Sequence, residues 1–313
     1  MKRTYCVMEF VFLLVVILGI SIKDGKAFTV DKRCYACISN ITDYASKADI
    51  EKMMREVSLI KEQLKPKPQD CRDIQNDGHR STGIYTIYPR QRPRGIQVRC
   101  DMDTTSGGWT VIQRRVSKSN FYRDWNDYES GFGSLNGNFW LGNLYIHMLT
   151  STDRYELRID LTTGGSNVPR IQYGSMSCIW LMDPYCILGT LLPPVDLTSI
   201  DRETAYAHYR EFSVSNAESG YRLYVREYRG NAGDSLISNG NGMRFSTYDR
   251  DNDISSSNCA VLYHGAWWYD SCHTSNLNGD YGNTDYAKGP VWWPWKRYYS
   301  PMKTTEMKIR RVG

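Results

Sequence analysis

Histidine is scarce in this chain, collagen-like repeats are absent, and no apolar run is long enough to cross a bilayer. The five histidines, His79, His147, His208, His264 and His273, show none of the spacings that hold zinc. There is no G-x-S-x-G, no H-E-x-x-H and no phosphate-binding glycine loop, so the chain reads as a binding protein and not an enzyme. Without Gly-X-Y triplets it has no collagen stalk. Neither sign of charge dominates: 39 basic and 34 acidic residues leave a net +5, and the basic ones are scattered, which argues against nucleic acid.

The strongest apolar stretch is "FVFLLVVILGI" at 10–20, behind Lys2 and Arg3. It is too short for a hydrocarbon core of about 30 Å. With small residues at Gly25 and Ala27, residues 1–27 read as a signal peptide. The expectation is a secreted, extracellular protein with no membrane insertion. Loss of this leader removes four basic and two acidic residues, so the net charge falls to +3. It also removes Cys6, leaving Cys34, Cys37, Cys71, Cys100, Cys178, Cys186, Cys259 and Cys272, an even set that suits disulfides.

Two regions follow. Residues 28–69 read as a stem. Ile50, Met53, Val57, Ile60 and Leu64 make a short a/d seam over 50–64, and Pro66 and Pro68 end it as a stiff linker. A simple amphipathic helix fits the same pattern. Cys34 and Cys37 offer interchain bridges, so a homo-oligomer built through the stem is expected. Asn40-Ile41-Thr42 is an N-glycosylation sequon. From residue 70 to 313, short β-prone pieces such as "RYELRIDL" and "YRLYVREY" alternate with Gly-, Tyr- and Trp-rich turns. This predicts an α+β, loop-rich domain.

One loop carries chemistry on its face. "DRDNDISSSN" at 249–258 places Asp249, Asp251 and Asp253 at alternate positions. Such crowding needs either solvent or a hard cation, and Ca²⁺ takes oxygen ligands. An EF-hand is excluded, because its sixth and twelfth positions, glycine and glutamate, are Ile254 and Ala260 here.

The blocks "DCRDI" (70–74), "GIYTIYP" (83–89), "CDMDTTSGGWTVIQRR" (100–115), "FWLGN" (139–143), "AYAHY" (205–209), "NCAVLYHGAWWYDSCHTSNLNG" (258–279) and "TEMKIRR" (305–311) resemble the fibrinogen C-terminal domain family. That family includes ficolins, tachylectins, angiopoietins and tenascin ends. The resemblance implies a mixed β-sheet with a loop-rich subdomain that binds Ca²⁺ and ligand, and Cys71–Cys100 and Cys259–Cys272 disulfides. It implies Ca²⁺ held by the side chains of Asp251 and Asp253 and the carbonyls of Ser255 and Ser257, with Asp249 supporting. It also implies a cis bond before Cys272, which aims the N–H groups of Cys272 and His273 into a pocket. In the lectin members, residues matching Tyr263, Trp267, His273, Tyr286 and Ala287 line that pocket and bind acetyl groups of sugars. The implied function is Ca²⁺-dependent binding of acetylated glycans, and the alternative is a receptor or matrix ligand of the angiopoietin or tenascin type.

Residues 163–198 break the resemblance. Asp160-Leu161-Thr162 recurs as Asp196-Leu197-Thr198, and deleting the stretch restores the family's spacing. The segment is read as retained intronic sequence or a gene-model error; the alternative is a genuine loop stapled by Cys178 and Cys186.

Overall fold

The computed structural model describes residues 48, 51, 52, 54–56, 58, 59, 66–90, 94–164 and 202–312. The chain divides into two units, Met1–Lys67 and Pro68–Gly313. In the first, the described residues from 48 to 59 are helical. The five seam positions, Cys34, Cys37, Asn40 and the leader lie outside the described residues, as do Cys178 and Cys186.

The second unit is built on a sheet whose strand pairs among the described residues are all antiparallel. A mixed sheet was expected; it does not form because neighbouring strands run in opposite directions throughout. Its strands are β1 (Gly83–Ile87), β2 (Ile96–Asp101), β3 (Trp109–Arg115), β4 (Phe132–Gly133), β5 (Phe139–Trp140), β6 (Tyr155–Thr163), β7 (Thr204–Val214), β8 (Leu223–Gly230) and, last in sequence, β11 (Met302–Arg311). The order across the sheet is β1-β2-β3-β11-β6-β7-β8, and the β4–β5 ribbon joins β3 through β5. Strand alternation decides the faces. On β6, Tyr155, Leu157, Ile159 and Leu161 are buried while Glu156, Arg158 and Asp160 look the other way. Ala205, Ala207 and Tyr209 continue that buried face on β7, and Met307 and Ile309 on β11.

Lys308 breaks the alternation. It is buried in the central strand, and its ammonium is 2.5 Å from Asp101, 2.8 Å from Glu306 and 2.9 Å from Asp160. Burial alone would raise the Asp101 carboxyl, but the charge and hydrogen bond of Lys308 bring it down to about 2. Three carboxylates around one cation repay the desolvation that would otherwise expel it.

The entry to the domain is fastened to its end. Asp70 caps the helix Cys71–Asn76 by accepting the Asp73 N–H, and it also accepts the Tyr155 hydroxyl at 2.7 Å. Arg311 pairs with both Asp70 and Asp73. Cys71 is bonded to Cys100 on β2.

β6 and β7 form the hairpin from which the extra segment departs. Thr162 opposes Thr204, and the Thr163 N–H donates to the Glu203 carbonyl at 3.0 Å. Of residues 163–198 only Thr163 and Gly164 are described. With that stretch removed, residues 199–203 would connect Thr162 to Thr204, a loop length common in hairpins.

After β8 the chain leaves the sheet for the part that carries the site. This contains a π-helical turn Leu236–Gly240, a short helix Cys259–Leu262, the small ribbon of β9 (Ser275–Asn276) with β10 (Val291–Trp292), and a helical turn Trp293–Lys296.

Candidate functional site

Five stretches converge on one cavity of about 260 Å³, lined by Asn239, Tyr263, Ser271, Cys272, His273, Thr274, Tyr286, Ala287 and Tyr298. The inner turn comes first. Cys259 and Cys272 are bonded, and the Ser271–Cys272 peptide is cis. The Asp270 N–H donates to the Cys272 carbonyl, closing the turn at 2.8 Å. Among the described residues, the N–H groups of Cys272 and His273 find no protein acceptor. A buried or half-buried amide without a partner is costly, so two such donors at a cavity wall mark a place for an acceptor.

His273 forms the floor. It is 7% exposed; no hydrogen bond of ordinary geometry reaches either ring nitrogen, and the Ala287 backbone exerts only a weak opposing pull on the ring. Rings surround it: Tyr263 edge-on at 4.7 Å, Tyr298 edge-on at 5.7 Å and Tyr269 at 5.7 Å. Burial pushes its imidazole down to about 3, so it is neutral at any physiological pH. The Tyr298 hydroxyl donates to the His273 carbonyl at 2.7 Å. Behind the turn, Gly265 is needed for close approach, because a Cβ there would stand 2.5 Å from Asn276 and 2.8 Å from the Tyr269 hydroxyl. Asn276 in turn donates to the Tyr263 carbonyl.

Of the residues expected in the pocket, Tyr263, Cys272, His273, Tyr286 and Ala287 line the cavity. Trp267 does not. It is 1% exposed, exchanges backbone hydrogen bonds with Ser246 and packs edge-on against Trp268 at 5.2 Å. It is a core pillar beneath the acidic loop. Sequence reading missed Tyr298, Asn239, Ser271 and Thr274. Tyr298 had a faint signal in the aromatic run "WWPWKRYY". Asn239 had none: it rides on the π-helical turn, which the Asp234 carboxylate fastens by accepting the N–H groups of Leu236, Ile237 and Ser238. The Asn239 side chain accepts the Thr274 N–H and donates to Asp270, tying the π turn to the inner turn.

The acidic loop lies next to this turn, joined by the Ile254 N–H to the Asp270 carbonyl. Asp253 accepts the N–H groups of Ser255 and Cys259 at 2.9 Å each, and its own N–H donates to Asp251. Asp249 turns elsewhere: it accepts the Trp125 N–H at 3.0 Å and the Thr247 hydroxyl at 2.7 Å. Only two carboxylates therefore converge, and no group of three His, Cys, Asp or Glu is gathered among the described residues. Burial raises the Asp253 carboxyl, with the neighbouring Asp251 adding to it. A carboxylate pair in that condition, beside Ser255 and Ser257 carbonyls that accept no main-chain hydrogen bond among the described residues, has the all-oxygen chemistry that suits Ca²⁺.

Comparison with known proteins agrees with this architecture. A family profile described as "Fibrinogen beta and gamma chains, C-terminal globular domain" matches residues 67–185 and 189–312. Fibrinogen C domain-containing protein 1-B of Xenopus laevis is 43% identical over 253 residues, covering 78% of this chain and 47% of that protein. The chain thus spans about half the length of that relative. Human microfibril-associated glycoprotein 4 is 42% identical over 255 residues, covering 78% and 86%. Among solved structures, the fibrinogen-like globe domain of human ANGPTL2 superposes with a TM-score of 0.65 at 32% identity, covering 79% of this chain and all of that one. A lamprey fibrin D-dimer, solved with the peptide ligand Gly-His-Arg-Pro-amide, gives 0.61 at 25% identity, covering 99% and 96%. By sequence and by fold, this chain belongs to the fibrinogen C-terminal globular domain family.

Proposed function

We propose that the chain is a secreted lectin that binds acetylated glycans through the cavity under the Cys259–Cys272 turn. One observation carries the reading: two residues whose main-chain N–H groups have no acceptor among the described residues line a ring-walled cup together with a neutral, buried imidazole. An acetamido group answers each element. Its carbonyl oxygen takes the N–H groups of Cys272 and His273, and its methyl sits among Tyr263, Ala287 and Tyr298. Ca²⁺, held by Asp251, Asp253 and the carbonyls of Ser255 and Ser257, would neutralise the crowded carboxylates and brace the loop joined to Asp270.

The family's other role is to bind proteins, as receptor or matrix ligands do, and the lamprey fibrin relative was solved with a peptide. A peptide's amino end brings a positive charge, and no residue lining this cavity carries a carboxylate. The neutral acetyl group fits better. A single cup of this size makes few contacts, so binding by one head is expected near the millimolar range. Several heads joined through Cys34, Cys37 and residues 50–64 would supply avidity of about 10²–10⁴.

The test is retention on immobilised N-acetylglucosamine. The secreted protein is expected to bind and to elute with free acetate or with EDTA. Tyr263→Ala and His273→Ala should weaken retention without reducing secretion. Passage through the resin unretained, or retention indifferent to acetate, would overturn the proposal.

A further inference from the structure

We infer that Arg115, a buried cation at the end of β3 and outside the cup, is the positioning residue that makes the site select an acetyl group over a larger acyl group. The inference rests on the acetyl-cup reading and concerns the wall against which the methyl would lie.

Part of that wall is Ala287, which is buried and held with φ at 62°, in the left-handed region that residues other than glycine rarely adopt. Surrounding structure has to impose such a backbone. The constraint can be followed back to the sheet. Lys288, the next residue, offers its carbonyl to the Asp280 N–H at 2.8 Å. Gly279 is pressed so close that a Cβ there would stand 2.6 Å from the Lys288 carbonyl oxygen and 2.5 Å from that of Gly289. The carbonyls of Gly279 and Leu277 in turn accept from Nη1 of Arg115, at 3.0 and 3.2 Å. Gln113, two residues earlier on β3, donates to the Leu277 carbonyl and to the Asn278 side chain.

A charge is an expensive way to fill this place. Arg115 is fully buried, burial pulls its guanidinium down to about 10, and Asp280 attracts it only from beyond ion-pair distance. It lies over the Phe121 ring at 3.9 Å and the Tyr281 ring at 5.5 Å. An apolar side chain of similar length would pack between those rings without the cost of a buried, unpaired charge. What it could not do is grip two carbonyls of the segment that backs Ala287. The donor side of the cup has other supports: the Cys259–Cys272 bond and the contact of Ile254 with Asp270. Arg115 thus bears on the methyl wall, while the disulfide and the acidic loop bear on the donors.

The experiment measures the affinities of N-acetylglucosamine and N-propionylglucosamine for the full secreted chain by calorimetry, beside thermal melts in Ca²⁺ and in EDTA. One added methylene against a fitted wall is expected to cost the wild type about ten-fold in affinity. Arg115→Met fills the same space without gripping the carbonyls. It should narrow the ratio to about two-fold and leave the Ca²⁺-induced rise in melting temperature unchanged. Arg115→Lys, with a single ammonium in place of the fork, should fall between. A ratio that stays at the wild-type value in both variants, whatever their melting temperatures, would overturn the inference. So would a ratio that falls only together with the Ca²⁺ effect, or failure of both variants to be secreted, since either makes Arg115 a residue of the core alone. Equal binding of the two sugars by the wild type would also overturn it and leave the acetyl reading standing. Failure of the wild type to bind either sugar would sink the acetyl reading, and this inference with it.

Discussion

His273 shows how a single residue can be necessary to the cavity and costly to the fold. Its imidazole is buried without a hydrogen bond of ordinary geometry, and burial lowers it from 6.5 to about 3. Between those values the unfolded chain takes up a proton that the folded chain refuses. Stability from this residue is complete above pH 6.5 and drains away as the pH falls toward 3, at up to about 1.4 kcal/mol per pH unit. Thermal melts from pH 7 to pH 4 should therefore fall more steeply for the wild type than for His273→Phe. Parallel slopes would contradict this account. Tyr263, His273 and Tyr286 were legible as pocket residues because their spacing from Cys259 and Cys272 matches a family pattern. Trp267 misled for a physical reason. In a run of three aromatics every ring is apolar enough for a wall, and only the backbone pairing of residue 267 with Ser246 sends it into the core.

At the scale of elements, the hairpin of β6 and β7 is informative because it is complete on both sides of an interruption. Its register runs to Thr162 and Thr204, and the bond from Thr163 to Glu203 closes it. Loop length enters stability only logarithmically, so a long excursion from a closed hairpin costs the sheet little. A variant lacking residues 163–198 is expected to be secreted and to be about 2 kcal/mol more stable than the full chain, because a shorter loop closes at less entropic cost. Intact mass of the native secreted protein would show whether the segment is present at all. A deletion variant that fails to fold would establish the segment as part of the core. Strands were the most legible elements, since two-residue alternation survives even where β6 carries Arg and Asp. The π-helical turn was not legible: Asp234 caps three nearby amides, but what holds that carboxylate in place is the hydroxyl of Tyr209, far away in sequence.

Across the whole molecule, the acidic loop and the cavity form one structure, linked through Asp270. The resemblance implied this closeness and singled out Asp251 and Asp253, but it did not reveal that Asp249 turns away to accept the Trp125 N–H and the Thr247 hydroxyl. Ca²⁺ that binds only the folded head should raise its melting temperature, by about 2.7 kcal/mol of stability at a hundredfold excess over its dissociation constant. Asp251→Ala should remove most of that gain. Calorimetric scans in Ca²⁺ and in EDTA check it, and coincident scans would argue that the loop stands without an ion.

The position of β11 has a further consequence for how the protein is made. The last strand of the chain is the middle strand of the sheet, paired with β3 on one side and β6 on the other. Everything synthesised before it is two half-sheets with their inner edges open. The head therefore has to be assembled after translation has delivered residue 311, in the company of whatever shields bare strand edges in the meantime. A ribosome that stops before Met302 would release a molecule without its spine.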